Sequence, residues 1–263
     1  MQVVALEASK IIFVFPVFNE ALSIPRLGQD LSTFETMIKQ ITPGQNIRVE
    51  FLFIDDGSTD GTHEHLEKLG KDNVKVVRHA HNQGPGAAFQ TAFSTIIAGN
   101  IAPLDLVITL EGDATSDPQM LIKMLRRIEE GYEIVLASPY LYGGGFLGVQ
   151  THRIFLSHMA NFLFKLVFGI RGIATFSCFY RVYRGATLQK LNAAYDGKIV
   201  SCAGFECAAE IIMKATRCKL SIAEVPLVVD WSKKKGKSKM KVFKTSWGYL
   251  TMFVKLFSVK PQV

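Results

Sequence analysis

The sequence lacks several features that would place it in other classes of protein. No run reaches the roughly 20 consecutive apolar residues that a membrane-spanning helix needs. The nearest candidate, residues 154–170, is interrupted by His158, Asn161 and Lys165. The four cysteines show no C-x-x-C spacing, and no secretory signal opens the chain. We therefore predict a cytosolic protein with reduced thiols, no zinc site and no membrane-spanning segment.

Acidic residues are missing from the end of the chain. Residues 231–263 contain nine lysines and no Asp or Glu, which leaves 21 basic and 23 acidic residues in residues 1–230. The net charge of +7 therefore belongs to the tail and not to a body that binds nucleic acid. We predict no nucleic-acid partner. We also predict two parts, a folded domain at 1–230 and a basic loop with a helix at 231–263.

Strand-like and helix-like segments alternate through the first half of the chain. Near-continuous apolar runs predict five strands that are buried on both faces of a sheet, at residues 10–17, 48–54, 74–78, 104–110 and 133–137. Further strands are predicted at 175–183 and 220–229. The alternation predicts an α/β fold, with a doubly wound, mostly parallel sheet and helices on both faces.

Polar residues follow several of these strands. Ligands of such sheets bind beyond the carboxyl ends of the strands, where Asn19, the Asp55-Asp56 pair and the Gly84 loop would lie. Glu111 and Asp113, separated by one glycine, can aim oxygens at a Mg²⁺ or Mn²⁺ ion that also binds substrate phosphates. The pattern predicts a site for a metal and a diphosphate. The Gly84-Pro85-Gly86 turn is equally consistent with a phosphate loop and a packing turn.

Three later segments each have two interpretations. The glycine-rich residues 141–148 fit a lid or a plain connection. The helix predicted at 153–168 carries an apolar stripe that fits either the core or the lipid interface. From residue 240 onward, an apolar stripe opposite lysines fits an interfacial anchor, or a helix docked on the protein's own sheet. The members of that last stripe are Phe243, Trp247, Leu250, Val254 and Phe257.

The motifs occur in the order found in family-two inverting glycosyltransferases. They are FPVFNE at 15–20, IDDGSTDGT at 54–62, the Gly84 loop, LEGDATSDP at 110–118 and KKGKSKM at 234–240. Over residues 10–245 the chain resembles this family, and in particular its dolichol-phosphate mannose synthase branch. The resemblance implies a GT-A fold, a nucleotide-sugar donor, a divalent cation (Mg²⁺ or Mn²⁺) and a polyprenyl-phosphate acceptor.

The resemblance also implies roles for individual residues. Those expected at the nucleotide are Pro16, Phe18, Glu20, Asp55, Asp56 and Gly84. Those expected to be catalytic are Glu111 and Asp113, which would hold the metal and diphosphate, and Lys233, which falls at or next to a family arginine that meets phosphate. Those expected at the acceptor phosphate are Arg153, Ser177 and Lys237.

The chain departs from the family pattern at three positions. Glu111 stands where Asp is usual, and its longer side chain shifts the position of the carboxylate oxygens, while Thr115 stands where Gln is common. Lys233 keeps the charge of the family arginine but loses its bidentate geometry. The Q-x-x-R-W element of polysaccharide-synthesising relatives is missing from the sequence.

Three functions stay open at this point. The first is transfer of a hexose, from GDP-mannose or UDP-glucose, to a polyprenyl phosphate. The protein would then be peripheral at the cytoplasmic membrane face, either alone or with a membrane partner subunit. The second is transfer to a sugar or protein hydroxyl, for which Glu206 would be the general base. The third is a non-catalytic module that binds a nucleotide sugar at the membrane.

Overall fold

The structure is a computed structural model. It describes residues 3–113, 116–149, 151–170, 172–233, 248–249, 251–252 and 261. Its strands are β1 Lys10–Val17, β2 Arg48–Asp55, β3 Val74–Arg78, β4 Leu106–Thr109, β5 Ile134–Ser138, β6 Gly145–Leu147, β7 Arg181–Arg184, β8 Ile222–Pro226 and β9 Val228–Asp230. Its α-helices are α1 Ile24–Ile41, α2 Thr62–Glu67, α3 Pro85–Ala98, α4 Met120–Glu129, α5 Thr151–Phe168, α6 Gly185–Ala194 and α7 Cys207–Arg217, and a 3₁₀ turn covers Trp231–Lys233.

Seven strands form the main sheet, in the order β3-β2-β1-β4-β7-β5-β8. Only β7 runs antiparallel to its neighbours, β4 and β5, and the other pairs of this sheet are parallel. Side chains of β1 and β4 are buried on both faces, as a sheet covered on both sides requires. The predicted α/β class and mostly parallel sheet are confirmed.

Helices cover both faces of this sheet. Leu31 of α1 and Leu121 of α4 belong to one buried apolar cluster. Phe93 of α3, Leu188 of α6 and Ile212 of α7 belong to the other. Helices α1 and α4 bury residues at helical spacing and leave their polar sides to solvent, whereas α7 is buried throughout Cys207–Ala215. Each face of the sheet therefore has its own core. The prediction of helices on both faces is confirmed.

Residues 175–183, predicted as one strand, form a strand only from Arg181 onward. The backbone before it finds other partners. The N–H groups of Ala174 and Thr175 donate to the Glu224 carboxylate at 2.6 and 2.8 Å. The Arg181 guanidinium donates to the carbonyl of Phe176 at 3.0 Å. Because these groups are satisfied without a ladder, the segment stays irregular.

The glycine-rich residues 141–148 are not a plain loop. Gly145–Leu147 pairs in parallel with Val228–Asp230, so β6 and β9 make a separate two-stranded ribbon. The predicted strand at 220–229 is divided at Leu227, whose N–H donates to the Ser138 carbonyl at 2.9 Å. Pro226 ends β8, an edge strand of the main sheet, where a missing N–H is tolerated.

The predicted C-terminal amphipathic helix lies mostly outside the described residues, which include none of the five members of its apolar stripe. Gly248, Tyr249, Thr251 and Met252 are described and helical. Met252 is fully buried in the core cluster, and Tyr249 packs against that cluster. Tyr249 and Met252 therefore pack on the protein's own body. Within the described part of the chain, no helix is both long and apolar enough to cross a bilayer.

Candidate functional site

The carboxyl ends of β1, β2 and β4 meet at one edge of the sheet, and the loops after β1 and β2 are hydrogen-bonded to each other. The N–H of Asn19 donates to Ser58 Oγ at 2.9 Å, and the N–H of Thr59 donates to Asn19 Oδ1 at 2.8 Å. Asn19 has a φ of 52°, a conformation that Asn tolerates better than most residues. The N–H of Glu20 donates to Thr62 Oγ1 at 2.8 Å. The loops after β1 and β2 therefore form one unit.

Asp56 holds the turn that precedes α3. Its Oδ1 lies 2.7 Å from His79 Nδ1 and accepts the N–H of Gln83 at 2.9 Å, while its Oδ2 accepts the N–H of Gly84 at 2.8 Å. Because the carboxylate only accepts, His79 donates from Nδ1, and its Nε2 lies within hydrogen-bond distance of Thr91 Oγ1, at 2.9 Å. Both oxygens of this buried carboxylate are engaged, so Asp56 positions the Gly84 turn.

The Gly84-Pro85-Gly86 turn packs directly on another backbone segment. A Cβ at Gly84 would lie 2.3 Å from the carbonyl oxygen of Ala203, and one at Gly86 would lie 1.7 Å from that of Cys202. The N–H of Gly86 also donates to the Ala203 carbonyl at 2.9 Å. Glycine is therefore needed for close approach, which is what a packing turn requires.

A buried ion pair supports the segment on which this turn packs. Lys214 Nζ lies 2.7 Å from Glu210 Oε1, and both side chains are 2% exposed. Lys214 also donates to the carbonyls of Lys198 and Ile199, and Glu210 Oε2 accepts the N–H of Cys202 at 2.8 Å. Sequence analysis missed this pair. Its four-residue spacing on a helix was the available signal.

Asp55, at the end of β2, is fully buried, and only one of its two carboxylate oxygens accepts a hydrogen bond from the described residues. Its Oδ1 accepts the N–H of Ser58 at 2.9 Å. No hydrogen bond reaches Oδ2 from the residues that the structure describes. Arg78 Nε lies 3.4 Å and His63 Nδ1 3.5 Å from this oxygen. Asp55 therefore offers an acceptor in basic surroundings.

Glu111 and Asp113 follow β4, and the glycine between them fits tightly against β1. A Cβ at Gly112 would lie 2.4 Å from the Pro16 carbonyl oxygen. Asp113 is nearly buried, and Glu111 is partly exposed. Among described residues, no three His, Cys, Asp or Glu side chains are grouped to hold a metal by themselves. Two carboxylates nevertheless fit Mg²⁺ or Mn²⁺, since such ions take their remaining ligands from substrate phosphates and water.

Ser177 lies in a polar cluster between β5 and α5. The Tyr140 hydroxyl hydrogen-bonds to Ser157 Oγ, and the Ser177 and Asn161 side chains lie near it. Burial raises the pKa of Tyr140, although these polar neighbours oppose the shift. Burial also raises the pKa of the adjacent Cys178 thiol to about 12, with the Glu111 carboxylate adding to the shift. Residues 177–178 thus connect the cluster with the carboxylates.

The predicted site residues are distributed as follows. The structure brings Pro16, Phe18, Glu20, Asp55, Asp56, Glu111 and Asp113 to the β1–β2–β4 edge, with Gly84 bonded to Asp56. Glu20 Oε2 accepts from Ser23 Oγ at 2.8 Å. Arg153 lies in the first turn of α5 and Lys233 in the 3₁₀ turn, but their side chains fall outside the description. Lys237 lies outside the described residues. Sequence analysis missed His79, Tyr140 and Ser157.

Comparison with known sequences places most of the chain in one family. Residues 12–191 match the model of glycosyl transferase family 2. The chain is 28% identical over 197 residues to a polyprenol monophosphomannose synthase of Mycolicibacterium smegmatis, covering 73% of this chain and 71% of that protein. It is 32% identical over 130 residues to an undecaprenyl-phosphate 4-deoxy-4-formamido-L-arabinose transferase of Proteus mirabilis, covering 48% of this chain and 36% of that protein.

Solved structures show the same fold at low identity. A glucosyl-3-phosphoglycerate synthase from Mycobacterium tuberculosis, in complex with Mn²⁺, UDP and glucosyl-3-phosphoglycerate, has a TM-score of 0.61 and 14% identity, covering 95% of this chain and 79% of that one. A mannosyl-3-phosphoglycerate synthase from Rubrobacter xylanophilus has a TM-score of 0.62 and 16% identity, covering 95% and 74%. The predicted GT-A fold is confirmed. The chain belongs to glycosyl transferase family 2.

Proposed function

We propose that the protein transfers a hexose from a nucleotide sugar to a polyprenyl phosphate, with inversion at the anomeric carbon. The observation that carries this proposal is the meeting of Glu111 and Asp113 with the bonded loops after β1 and β2 at one sheet edge. Two relatives are named for prenyl-phosphate substrates or products, which supports the acceptor class. The proposed location is the cytoplasmic face of the membrane.

The donor would lie along the β1–β2–β4 edge. Asp55 Oδ2, which accepts no hydrogen bond from the described residues, is the proposed acceptor for an N–H of the base. Because Asp55 is fully buried, the loop that covers it would have to move for the base to reach this oxygen. Asp56 would act indirectly, by fixing the Gly84 turn. Glu111 and Asp113 would hold the divalent cation, which supplies charge stabilisation for the departing diphosphate. GDP-mannose and UDP-glucose are the donors that we propose to test.

The acceptor would lie on the α5 side of these carboxylates. A phosphate oxygen attacks the anomeric carbon, the bond from that carbon to the diphosphate oxygen breaks, and its electron pair leaves with the nucleoside diphosphate. The acceptor is already an anion, so no side chain must take a proton from it. Ser177 can donate a hydrogen bond to it, and Arg153, Lys233 and Lys237 are the proposed cations.

Transfer to a hydroxyl would require a base, and Glu206 is the residue proposed for that role. Glu206 Oε1 accepts the N–H of Gly204 at 3.1 Å, and the residue is 7% exposed. A Cβ at Gly248 would lie 2.6 Å from Glu206 Oε2, so the C-terminal segment presses on this carboxylate. These contacts favour a structural role. Full turnover of Glu206→Gln with a prenyl-phosphate acceptor would remove the base from the mechanism.

The proposal is tested with Mn²⁺, radiolabelled GDP-mannose or UDP-glucose, and a short prenyl phosphate. We expect label in a lipid-extractable product, and a loss of at least about 100-fold in turnover for Asp113→Asn, as for removal of other groups that stabilise developing charge. Asp72→Asn, at an exposed carboxylate before β3, is the matched control. Donor binding without product would instead support a non-catalytic nucleotide-sugar module.

A further inference from the structure

Two buried polar atoms face each other at the end of β2, and neither has a hydrogen-bond partner among the described residues. They are Asp55 Oδ2 and His63 Nδ1, which lie 3.5 Å apart. Buried polar groups are nearly always hydrogen-bonded, so a contact between two unbonded atoms is unusual. Asp55 is the residue proposed to bind the base of the donor, so the state of this oxygen matters for nucleotide binding.

The start of helix α2 fixes the position of His63. Thr62, the preceding residue, is fully buried, and its Oγ1 accepts the N–H of Glu20 at 2.8 Å. Asp60 Oδ2 accepts the N–H of Ala21 at 3.2 Å, which ties the turn before α2 to the loop after β1 a second time. His63 therefore lies at the donor edge on a turn that both edge loops hold in place.

Charged side chains from three elements lie close to the imidazole of His63. Asp55 faces it from β2, Arg78 of β3 lies 3.4 Å from the same Asp55 oxygen, and Glu67 Oε1 of α2 lies 3.5 Å from His63 Nε2. No other described side chain forms an ion pair with His63. The side chains of His63 and Arg78 are 21% and 45% exposed, whereas that of Asp55 is fully buried. His63 and Arg78 therefore lie on the solvent side of the carboxylate.

The protonation state of the imidazole decides whether the two unbonded atoms can bond. A carboxylate oxygen only accepts, so a bond requires a hydrogen on His63 Nδ1. A neutral imidazole with its hydrogen on Nε2, towards Glu67, presents a lone pair to Asp55 Oδ2, and no bond forms. This tautomer accounts for both unbonded atoms. A protonated imidazole carries a hydrogen on each nitrogen, so it would donate charge-assisted bonds to Asp55 and Glu67 together.

We propose that His63 is a positioning residue for the nucleotide, which occupies Asp55 Oδ2 when protonated and leaves this oxygen to the base of the donor when neutral. This inference rests on the proposed function and adds a residue and a pH dependence to the donor site. The N–H of the base and the Nδ1–H of His63 would compete for one oxygen. Binding of the base to the protonated form therefore displaces His63, which then loses its proton to the buffer. Histidine side chains change charge between pH 5 and 8, so the competition falls in the physiological range.

The test is calorimetric titration of the full chain with GDP and UDP, in the presence of Mn²⁺, at about pH 5.5 and about pH 7.5. The variant is His63→Ala. The matched control is His65→Ala, which removes an exposed histidine on the same helix that bonds to the carbonyl of Gly61. Wild type and control should lose at least about fivefold more affinity on acidification than His63→Ala does, because the fraction of protein with an unoccupied Asp55 oxygen falls. Titration of the nucleotide phosphates and of His79 is common to all three proteins and cancels in this comparison.

Proton release gives a readout that a purely structural role would not change. It is measured near pH 6, from the binding enthalpy in two buffers that differ in their own ionisation enthalpy. Nucleotide binding should release more protons from wild type and from the His65→Ala control than from His63→Ala. A general loss of stability in His63→Ala would not make its affinity less dependent on pH.

The outcomes separate this inference from the proposed function. Equal loss of affinity on acidification and equal proton release in all three proteins would overturn the role of His63, while nucleotide binding itself would stand. The predicted pH dependence in a protein that never transfers sugar would support the role of His63 and remove the transfer reaction. If wild type binds neither nucleotide at either pH, the proposed function falls, and the role of His63 falls with it.

Discussion

Replacing Lys214 by methionine should destabilise the protein far more than removing a comparable ion pair at the surface. Lys214 and Glu210 are 2.7 Å apart and 2% exposed. The substitution removes the only cation within 4.0 Å of this carboxylate among the described residues. It also takes a donor from the carbonyls of Lys198 and Ile199. A buried charge and two buried acceptors would be left without their partner.

The expected loss of unfolding free energy depends on the partners that Glu210 and the two carbonyls keep in the variant. Breaking a buried ion pair by removing one partner costs about 3–5 kcal/mol. Glu210 keeps the N–H groups of Ser201 and Cys202, at 2.9 and 2.8 Å from Oε2, so the lower part of that range applies to it. The two carbonyls add to the cost, about 1 kcal/mol in total if water reaches them. We expect a loss of about 4 kcal/mol, which lowers the melting temperature by roughly 10 °C in a protein of this size.

Urea unfolding followed by circular dichroism measures this difference. The matched control is Arg127→Met, because Arg127 lies 2.6 Å from Glu130 but both side chains are about half exposed, at 46% and 50%. That change should cost less than about 1 kcal/mol. Adding Glu210→Gln to Lys214→Met should recover part of the loss by removing the unpaired charge. Similar losses for Lys214→Met and the Arg127 control would refute the reasoning.

Three further predictions concern the site edge and the thiols. Asp56→Asn should lower the unfolding free energy by about 2 kcal/mol in urea, because an amide cannot accept all three bonds that converge there. Gly112→Ala should weaken the binding of GDP or UDP at least about tenfold in calorimetry, because the new Cβ would lie 2.4 Å from the Pro16 carbonyl oxygen. Gly145→Ala is the control and should leave binding unchanged, because its Cβ would meet no atom within 4 Å. Burial, with Glu210 adding, raises the pKa of Cys207 well above 9.0. The folded protein should therefore resist iodoacetamide at Cys207 at pH 8. It should also lose the thiol's contribution to stability as the pH rises above about 9, because the unfolded chain releases that proton first. Alkylation of folded Cys207 as fast as in urea would contradict the last prediction.

The first half of the fold was predictable because its strands are buried on both faces. Lys10–Val17 and Val74–Arg78 have the bounds that the apolar runs predicted. The second half was less predictable because side chains replace backbone ladders there. Glu224 accepts the N–H groups of Ala174 and Thr175, and Arg181 donates to the carbonyls of Phe176 and Cys178. Hydrophobic periodicity does not reveal bonds between side chains and backbone groups, whether their partners are near or far in the sequence. The helix at Gly185–Ala194 was missed as well.

The site was predictable in its acidic residues and less so in their neighbours. Asp55 and Asp56 look alike in the sequence, and both were expected at the nucleotide. The structure gives them different environments. Both oxygens of Asp56 accept hydrogen bonds from protein donors, whereas Asp55 Oδ2 accepts none from the described part of the protein. The partners of Asp56, His79 and the Gly84 N–H, lie 23 and 28 residues away. Local spacing cannot reveal contacts of that range.

Helix α5 shows why periodicity alone could not decide between core and lipid interface. A spacing of three and four residues shows that Met159, Phe162 and Leu166 share a face, but not which way that face points. Ser157 and Asn161 mark the inward side, because the Ser157 hydroxyl hydrogen-bonds to Tyr140 and Asn161 is buried. The structure settles the direction for three side chains, since Met159, Phe162 and Leu166 are 43%, 59% and 69% exposed. These three side chains therefore do not belong to the core, although their spacing is the one that a core-facing stripe would also show.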